Sequence, residues 1–305
     1  MAETTTPTLS TASASRRQSG QLSAATVVNR IGWIVAQVLL WLFFASVAFP
    51  ILWTIMTSFK TSRELFTNPW ALPAVPQIAN YVKAWNEMKV GTYFLNSVFV
   101  SFSSLAITML LGSMAAYVIA RVNIKINRPL YFFFLAGWLI PYFLTFIPAW
   151  FLHRQLGTIS KDGGHLALII QYAAGSLPFT IFFLYAFFKT LPRELEESAI
   201  IDGANPYQVF FKVMLPLAKS GILTVGIFNF IGIWNEYPWA LVTISRDELK
   251  TLPLGLANLL QRSQYQTDWG AMFAGFVITL VPTFVVYAIY QARLTEGITV
   301  GALKG

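Results

Sequence analysis

Long stretches without a charged residue constrain this chain more than any other feature. Five stretches lack Asp, Glu, Lys and Arg and are dominated by apolar side chains: Ile31–Phe59, Val90–Ala120, Pro129–Leu152, Gly163–Phe188 and Trp269–Ala292. A sixth stretch, Ser220–Ser245, contains only Glu236. A helix crosses the hydrocarbon core with about 20 residues, and each stretch is longer than that. The sequence therefore predicts an all-α, polytopic membrane protein with six transmembrane helices.

Proline and charge set the bounds of the expected spans. The charge-free stretch Leu65–Val82 is excluded because each of its three prolines removes a helical hydrogen bond that lipid cannot replace. The chain then divides into a tail at residues 1–30, a transmembrane domain at residues 31–293 and a second tail at residues 294–305. We expect the Thr-, Ser- and Ala-rich first tail to be disordered because it buries little apolar surface. The expected spans are about 31–59, 94–120, 129–152, 165–188, 220–245 and 269–292.

The distribution of Lys and Arg predicts the orientation. Six spans place both termini on one side of the membrane, and the loops on that side carry more Lys and Arg than the loops opposite. The connector Arg121–Arg128 holds three cations, as expected of a loop retained in the cytoplasm. We expect a multi-pass protein of the cell (inner) membrane with both termini cytoplasmic. A signal peptide cleaved near Ala45–Ala48 is the alternative, but the apolar run continues without a charge to Phe59.

The sequence lacks the residues that several other functions require. The absence of cysteine excludes disulfides, thiolate nucleophiles and iron–sulfur clusters. There is no G-x-x-x-x-G-K-[ST] sequence, so no P-loop is available to bind a nucleoside triphosphate. His153 and His165 have no ligand partners at a metal-binding spacing. We therefore expect no catalytic residue, no metal site and no cofactor, and the chain is not expected to be an enzyme.

The stretch Ser220–Ser245, which is the fifth expected span along the chain, contains the candidate substrate-pathway residues Trp234, Asn235, Glu236 and Tyr237. An ionisable side chain within a span costs a few kcal/mol and usually faces a cavity or a partner. Aromatic rings beside amide and carboxylate groups match the apolar faces and hydroxyls of a sugar. An aromatic belt at the membrane interface, with Glu236 reaching water, explains the same residues equally well.

The segment 189–219 has the signals of two short helices joined by a hinge. Asp202-Gly203 ends the first helix, since glycine takes the positive φ found at helix C-termini, and Asn205-Pro206 begins the second. The second helix carries an apolar stripe at i, i+3, i+4 and i+7, formed by Tyr207, Phe210, Phe211 and Met214. The stripe either folds back onto the chain's own spans or fills a groove on a partner protein.

The segment Glu197-Ser198-Ala199-Ile200-Ile201-Asp202-Gly203-Ala204, followed by Leu215-Pro216, resembles the E-A-A-x-x-D-G-A loop of importer-type ABC transporter permeases. Ser198 stands where that pattern usually has alanine. Three further segments are similar to the sugar branch of the family, typified by the maltose permeases: Ser58–Lys60 with Asn80-Tyr81, Trp234–Tyr237 with Ala240-Leu241, and Gly301–Gly305.

This resemblance implies a permease subunit that moves a mono-, di- or oligosaccharide into the cytoplasm by alternating access. The loop 189–219 would be a coupling-helix loop that docks on a separate ATPase. The implied coupling residues are Glu197, Ala199, Asp202, Gly203 and Ala204, which shape the docking element, and Tyr207, Phe210 and Phe211, which fill the groove. The implied partners are a second homologous permease chain, two ABC ATPase subunits, an extracytoplasmic sugar-binding protein and membrane lipid, with no nucleic acid.

Two other functions stay open from the sequence. One is an importer permease for a non-sugar solute such as a polyamine, phosphate or peptide. The other is an ion-coupled secondary transporter that uses Glu236 as its proton or cation site. The second has no need of a helix pair shaped for docking.

Overall fold

The computed structural model describes residues 10–159, 164–262 and 268–302, and the regular structure within these residues is helical. A π-helical turn, Val209–Met214, joins α9 to α10, and a 3₁₀ turn, Asp247–Leu249, precedes α13. The α-helices are α1 (Ser10–Ser58), α2 (Ser62–Thr67), α3 (Ala79–Asn86), α4 (Val90–Arg121), α5 (Asn127–Leu139), α6 (Tyr142–Gln155), α7 (His165–Thr190), α8 (Glu194–Ile201), α9 (Pro206–Gln208), α10 (Leu215–Leu217), α11 (Lys219–Trp234), α12 (Pro238–Thr243), α13 (Leu252–Arg262) and α14 (Trp269–Ala302).

Apolar helices of spanning length confirm the all-α, polytopic class. Four single helical segments are long and apolar enough to cross a membrane: Arg30–Ser58, Val90–Arg121, His165–Thr190 and Trp269–Gln291. Two bent pairs meet the same criterion together, α5 with α6 at 102° and Pro206–Leu217 with α11 at 77°. Counting each bent pair as one span gives six within the described residues, the number expected from the charge-free stretches.

The first and last helices extend into the expected tails. α1 begins at Ser10 and α14 continues to Ala302, so helical backbone occupies much of both segments. This differs from the disorder expected of the first tail. A helix already formed in a span extends by one hydrogen bond per added residue without a new nucleation step. Residues 1–9 and 303–305 of the tails lie outside the described residues.

Two expected spans are interrupted at prolines. The third breaks at Ile140-Pro141, where Ile140 is extended (φ −70°, ψ 121°) because a residue before proline is disfavoured in helical conformation. The fifth, expected to run unbroken over 220–245, ends as α11 at Trp234 and resumes as α12 at Pro238. Proline suits the first position of a helix and not its interior, so the expectation of one continuous fifth helix is corrected.

Helices α4 and α7 form the most extensive helix pair, and α11 packs against both. Gly112 of α4 permits this approach, because a Cβ at that position would lie 2.5 Å from the Thr180 Cγ2 atom of α7. Asn229 of α11 donates from Nδ2 to the Thr180 hydroxyl at 2.8 Å. Small and polar side chains at a helix contact are typical of membrane proteins. The three helices thus form a common framework for the sites described below.

A buried lysine organises the segment that follows α1. Lys60 is 1% exposed and donates from Nζ to the carbonyl oxygens of Asn68 and Pro69, both at 3.0 Å. The Asn80 amide donates to the Ser58 and Lys60 carbonyls at 2.8 and 2.9 Å. These bonds close the proline-containing stretch into a compact loop, as the exclusion of residues 65–82 from the spans requires.

The start of α14 is held against this loop by an ion pair. Lys83 Nζ lies 2.9 Å from the Asp268 carboxylate. Burial by itself would raise the pKa of Asp268, but hydrogen bonds from Lys83 and from the Ala271 backbone N–H outweigh it and hold that pKa below its ordinary value. The hydrogen bond to Asp268 raises the pKa of Lys83 in turn. The pair is therefore retained at neutral pH and is lost on acidification as Asp268 takes up a proton.

A substitution at Gly270 tests how closely α14 packs against the loop that contains Lys60. A Cβ there would lie 2.3 Å from the Lys60 carbonyl oxygen, a backbone atom that cannot rotate away. We expect Gly270→Ala to destabilise the protein by roughly 1–3 kcal/mol, the usual cost of overpacking. The matched control is Gly226→Ala in α11, where the nearest contact would be 3.9 Å and alanine is the better helix former. Thermal unfolding of the detergent-solubilised protein measures both, and an unchanged midpoint for Gly270→Ala would contradict the close approach.

Candidate functional site

The Glu236 carboxylate lies at the break between α11 and α12 and accepts four hydrogen bonds. The backbone N–H groups of Trp239 and Ala240 donate to it at 2.7 and 3.3 Å. The Tyr142 hydroxyl donates to Oε1 at 3.4 Å, and the Tyr172 hydroxyl donates to Oε2. Three helical elements, α6, α7 and α12, therefore meet at one carboxylate.

These bonds satisfy a requirement of the membrane interior. An interrupted helix leaves backbone N–H groups without partners, and each costs several kcal/mol in hydrocarbon. Glu236 meets that need at the first turn of α12, where a negative charge also complements the helix dipole. The two interrupted spans touch at this point, because Tyr142 is the first residue of α6 after the Pro141 break.

A cavity of about 470 Å³ opens beside the two breaks. It lies between α5 and α6 on one side and α7 and α11 on the other. Polar groups from Gln171, Ser176 and Asn229 share it with Tyr142, Tyr172 and Glu236. Aromatic rings form much of the remaining wall: Trp138, Phe179 and Phe228. Irregular backbone at membrane depth is tolerated where it lines such a cavity, and many secondary transporters form their substrate sites at broken helices.

The structure brings only one of the four predicted pathway residues to the cavity. Glu236 lines it, whereas Trp234 is 1% exposed, stacks on Phe230 and donates from Nε1 to the Thr279 carbonyl at 3.3 Å. Asn235 is exposed and donates to the Ile231 carbonyl of its own helix at 2.9 Å. Tyr237 packs against the hydrophobic cluster that contains Trp239. Helix α11 ends at Trp234, so residues 234–237 do not share one helical face.

Sequence reasoning missed the cavity residues of α5, α6 and α7. Tyr142 follows Pro141 directly, and Gln171-Tyr172 is a polar pair inside a charge-free stretch. Those two signals, a proline break and a polar pair inside a span, were available from the sequence. The sequence does not show that these residues lie close to Glu236, and the fold does.

The segment 189–219 adopts the predicted helix, hinge and helix. Gly203 has φ +83° at the end of α8, in the left-handed region that glycine tolerates. Asn205 then caps α9: its side chain accepts from the Gln208 N–H, and the Gln208 side chain accepts from the Asn205 N–H, both at 2.9 Å. This reciprocal arrangement is a capping box.

The apolar stripe of this segment divides between the core and the surface. Phe210 is 4% exposed and Met214 is fully buried, and the Phe210 ring lies 5.1 Å from the Tyr117 ring of α4. Tyr207 and Phe211 remain exposed. The expectation that Phe210 fills a groove on a partner is corrected, because the π-helical turn Val209–Met214 directs it into the chain's own core.

Some residues of the E-A-A-type motif are exposed, and others pack against the core. Glu197, Asp202 and Gly203 are exposed, while Ala199 and Ala204 pack against the core that contains Phe210. Ile200 and Ile201 are exposed at 57% and 84%, and sequence reasoning did not single them out. We call the exposed apolar set Ile200, Ile201, Tyr207 and Phe211 the docking face.

Helix α8 is tied to the end of α4 by polar contacts. The Tyr117 hydroxyl donates to the Glu196 carboxylate at 2.6 Å. Arg121, in the last turn of α4, donates to the Leu191 carbonyl just before α8. The docking face is therefore joined to a long span and does not hang from a free loop.

A cavity between broken membrane helices, together with an exposed helix pair attached to the spans, defines a helical membrane transport subunit. Comparison with known proteins gives the family. Residues 108–293 match the family described as "Binding-protein-dependent transport system inner membrane component", and the chain belongs to that family. Members are translocation subunits that work in complexes with other transporter subunits.

Several curated relatives align with nearly the whole chain. The diacetylchitobiose uptake system permease protein NgcG of Streptomyces coelicolor is 40% identical, with 92% of each chain covered. The trehalose transport system permease protein SugB of Mycobacterium tuberculosis is 32% identical, covering 84% of this chain and 92% of the relative. The arabinooligosaccharides transport system permease protein AraQ of Halalkalibacterium halodurans is 31% identical, covering 84% and 91%.

A solved structure shares the fold. The crystal structure of a bacterial ABC transporter involved in the import of the acidic polysaccharide alginate contains a chain that superposes with a TM-score of 0.78 at 23% identity. The match covers 87% of this chain and 97% of that chain.

Removing the Tyr172 hydroxyl tests its bond to Glu236. We expect Tyr172→Phe to lower stability by roughly 0.5–1.5 kcal/mol, the range measured for polar contacts between membrane helices. Tyr237→Phe is the matched control, since the Tyr237 hydroxyl makes no hydrogen bond within the part of the chain that the structure describes. Apparent unfolding midpoints of the two purified variants measure the difference. Equal midpoints would show that the Tyr172 hydroxyl does not support the break.

Proposed function

We propose that the chain is the permease subunit of a binding-protein-dependent ABC importer that moves a sugar into the cytoplasm by alternating access. Three relatives support this proposal, because they are named as permeases for diacetylchitobiose, arabinooligosaccharides and trehalose. The observation that carries the proposal is the cavity at the two helix breaks, where Glu236 faces aromatic and polar side chains.

The chemistry of that cavity suits a carbohydrate. A sugar ring presents apolar C–H faces, which stack on aromatic side chains, and hydroxyls, which exchange hydrogen bonds with amides and carboxylates. The Trp138 ring lies 6.1 Å from the Phe179 ring, which lies 6.2 Å from the Phe228 ring, and together the three form an aromatic wall. Gln171, Asn229 and Glu236 supply the polar partners. Of the four residues at 234–237, the proposal keeps Glu236 as the pathway residue and gives Trp234, Asn235 and Tyr237 supporting positions around the break.

The docking face supplies the proposed connection to an ATPase. Ile200, Ile201, Tyr207 and Phe211 form an exposed apolar surface on a segment that bears the E-A-A-type motif. ATP hydrolysis belongs to two partner ATPase subunits, which engage this surface. Phe210 acts from inside, because it transmits movement of the segment to Tyr117 and α4. Glu197, Asp202 and Gly203 border the contact from the exposed side of α8 and its hinge.

The remaining features of the assembly follow from this function. In this proposal the docking face is cytoplasmic, and with six spans both termini share its side of the membrane. A second, homologous permease chain completes the pathway, and an extracytoplasmic sugar-binding protein delivers the cargo. These assignments agree with the three cations of the connector Arg121–Arg128, which favour a cytoplasmic position.

A panel of labelled nutrients identifies the cargo. Uptake is compared between the native host and a strain that lacks this chain, using mono-, di- and oligosaccharides with polyamine, phosphate and peptide controls. We expect the strain without this chain to lose uptake of one group of glycans only. Uptake of those glycans by the native host should not change when an uncoupler is added at constant ATP. Loss of a control nutrient alone would reject the sugar assignment. Collapse of wild-type uptake by the uncoupler would favour an ion-coupled transporter.

A charge on the docking face tests its role in ATPase binding. Ile201 is 84% exposed, so Ile201→Glu leaves the chain's own packing intact while placing a charge against an apolar groove. We expect the ATPase subunits to be lost on purification and transport to fall at least tenfold. Ile124→Glu is the matched control, since Ile124 is exposed on the connector at the same end of α4 but outside the docking face. Retention of the ATPase by Ile201→Glu would contradict the docking assignment.

A further inference from the structure

A second cavity, of about 560 Å³, lies at the ends of three spans and far along the chain from Glu236. Its walls come from the last turn of α4, the first turns of α5 and the last turn of α7. Four cations line it: Arg121, Arg128, Lys189 and Arg193. None of the side chains that line it is acidic. The cavity therefore concentrates positive potential at the ends of these three helices.

These four cations are not neutralised by the protein itself. The ion pairs found among the described residues involve Lys83, Lys89, Arg246 and Lys250, all elsewhere. The nearby Glu196 accepts the Tyr117 hydroxyl and does not line the cavity. Arg121 donates to the Leu191 carbonyl, but its Nε–H is enclosed without a hydrogen-bond acceptor. Four like charges held around one cavity repel each other, and a bound anion relieves that repulsion.

The cavity is apolar on the side that faces the spans. The Tyr131 and Tyr185 rings lie 4.5 Å apart across α5 and α7, and Phe132 is exposed beside them. Lys189 Nζ lies 5.6 Å from the centre of the Tyr185 ring, and the Arg128 guanidinium lies 6.0 Å from that of Phe132. A free phosphate needs only the cations, whereas a molecule with a phosphate head and a hydrocarbon chain uses both parts of the wall.

We propose that this cavity binds the phosphodiester headgroup of an anionic phospholipid, with its acyl chains lying along Phe132 and Tyr185. Basic pockets between spans commonly bind anionic lipid headgroups at the membrane surface. A headgroup that carries a hydroxyl, such as that of phosphatidylglycerol, also offers a donor to Asn127 Oδ1, another enclosed atom without a partner. Side-chain adjustment accompanies binding, because both unpartnered atoms are enclosed. The site does not depend on the cargo proposed above.

The site also lies beside the segment 189–219, which the proposed function makes the coupling segment. Arg121 contacts Leu191, and Arg193 directly precedes α8. A lipid bridging α4, α5 and the start of α8 would stabilise the attachment of the docking face. Lipid occupancy is therefore expected to modulate transport without entering the substrate cavity.

Short-chain lipids titrated into the delipidated, detergent-solubilised complex test the proposal. Native mass spectrometry follows binding of dioctanoyl phosphatidylglycerol to the wild type and to Arg128→Gln/Lys189→Gln. We expect about fivefold weaker binding per removed charge, equivalent to about 1 kcal/mol each. Lys212→Gln/Lys219→Gln is the control, with the same loss of charge on exposed residues outside the cavity. Arg128→Lys/Lys189→Arg keeps the charge and is expected to restore binding, which separates charge recognition from a folding defect.

The other probes separate the sources of phosphate. Dioctanoyl phosphatidylcholine is expected to bind at least tenfold more weakly than dioctanoyl phosphatidylglycerol, and equal binding would overturn headgroup recognition. Saturation by inorganic phosphate or glycerol 3-phosphate at the lipid's own concentration would assign the cavity to a soluble phosphate and overturn the lipid. Equal losses in the cavity and control pairs would show that net charge alone determines binding. Sugar uptake is measured in parallel, so a wrong cargo assignment and a wrong lipid site remain distinguishable.

Discussion

The need to satisfy backbone hydrogen bonds inside the membrane underlies the arrangement of this protein. Two spans are interrupted, at Ile140-Pro141 and at Asn235–Tyr237, and lipid offers no partners for the groups that are freed. Glu236 resolves the second break by accepting from the first backbone N–H groups of α12. The carboxylate in turn needs donors, which Tyr142 and Tyr172 provide. The breaks, the cavity beside them and the hydrogen bonds that bring α6 and α7 to Glu236 therefore depend on one another.

Composition and charge predict the class and most of the spans, because charged side chains are costly in hydrocarbon and a long stretch without them therefore indicates a membrane span. The prolines are harder to interpret. Pro50, Pro148, Pro178 and Pro282 lie inside continuous helices, whereas Pro141 and Pro238 stand at breaks. A proline removes a hydrogen bond in either case, and its neighbours in three dimensions decide whether the helix is kinked or ended. Those neighbours, Tyr172 above all, are distant in the sequence from Glu236.

Local sequence signals predicted the two helices and the hinge of the segment 189–219, but they did not predict which of its apolar side chains are exposed. A glycine with positive φ and an asparagine cap act within a few residues, so Gly203 and Asn205 marked the hinge correctly. The stripe periodicity assumed 3.6 residues per turn. The backbone of Val209–Met214 is π-helical, with a wider turn, and it directs Phe210 towards Tyr117 while Tyr207 stays outside. A local change of helical pitch is not visible in a hydrophobic pattern, and Ile200 and Ile201 emerged only from their exposure.

Helix α7 contacts both the cavity at Glu236 and the segment 189–219. Phe188, near its end, lies 5.7 Å from the Tyr117 ring, which also contacts Phe210 and Glu196. Tyr172, sixteen residues earlier in the chain or about 24 Å along a helix, donates to Glu236. Pro178 lies between the two and removes one hydrogen bond from the helix. These packed rings connect the segment 189–219 to α7, and the hydrogen bond missing at Pro178 lies beside the cavity, whose wall includes Ser176 and Phe179. Bending at that point would change the position of Tyr172 relative to Glu236 while leaving the core around Tyr117 intact, which is the kind of local displacement that alternating access requires.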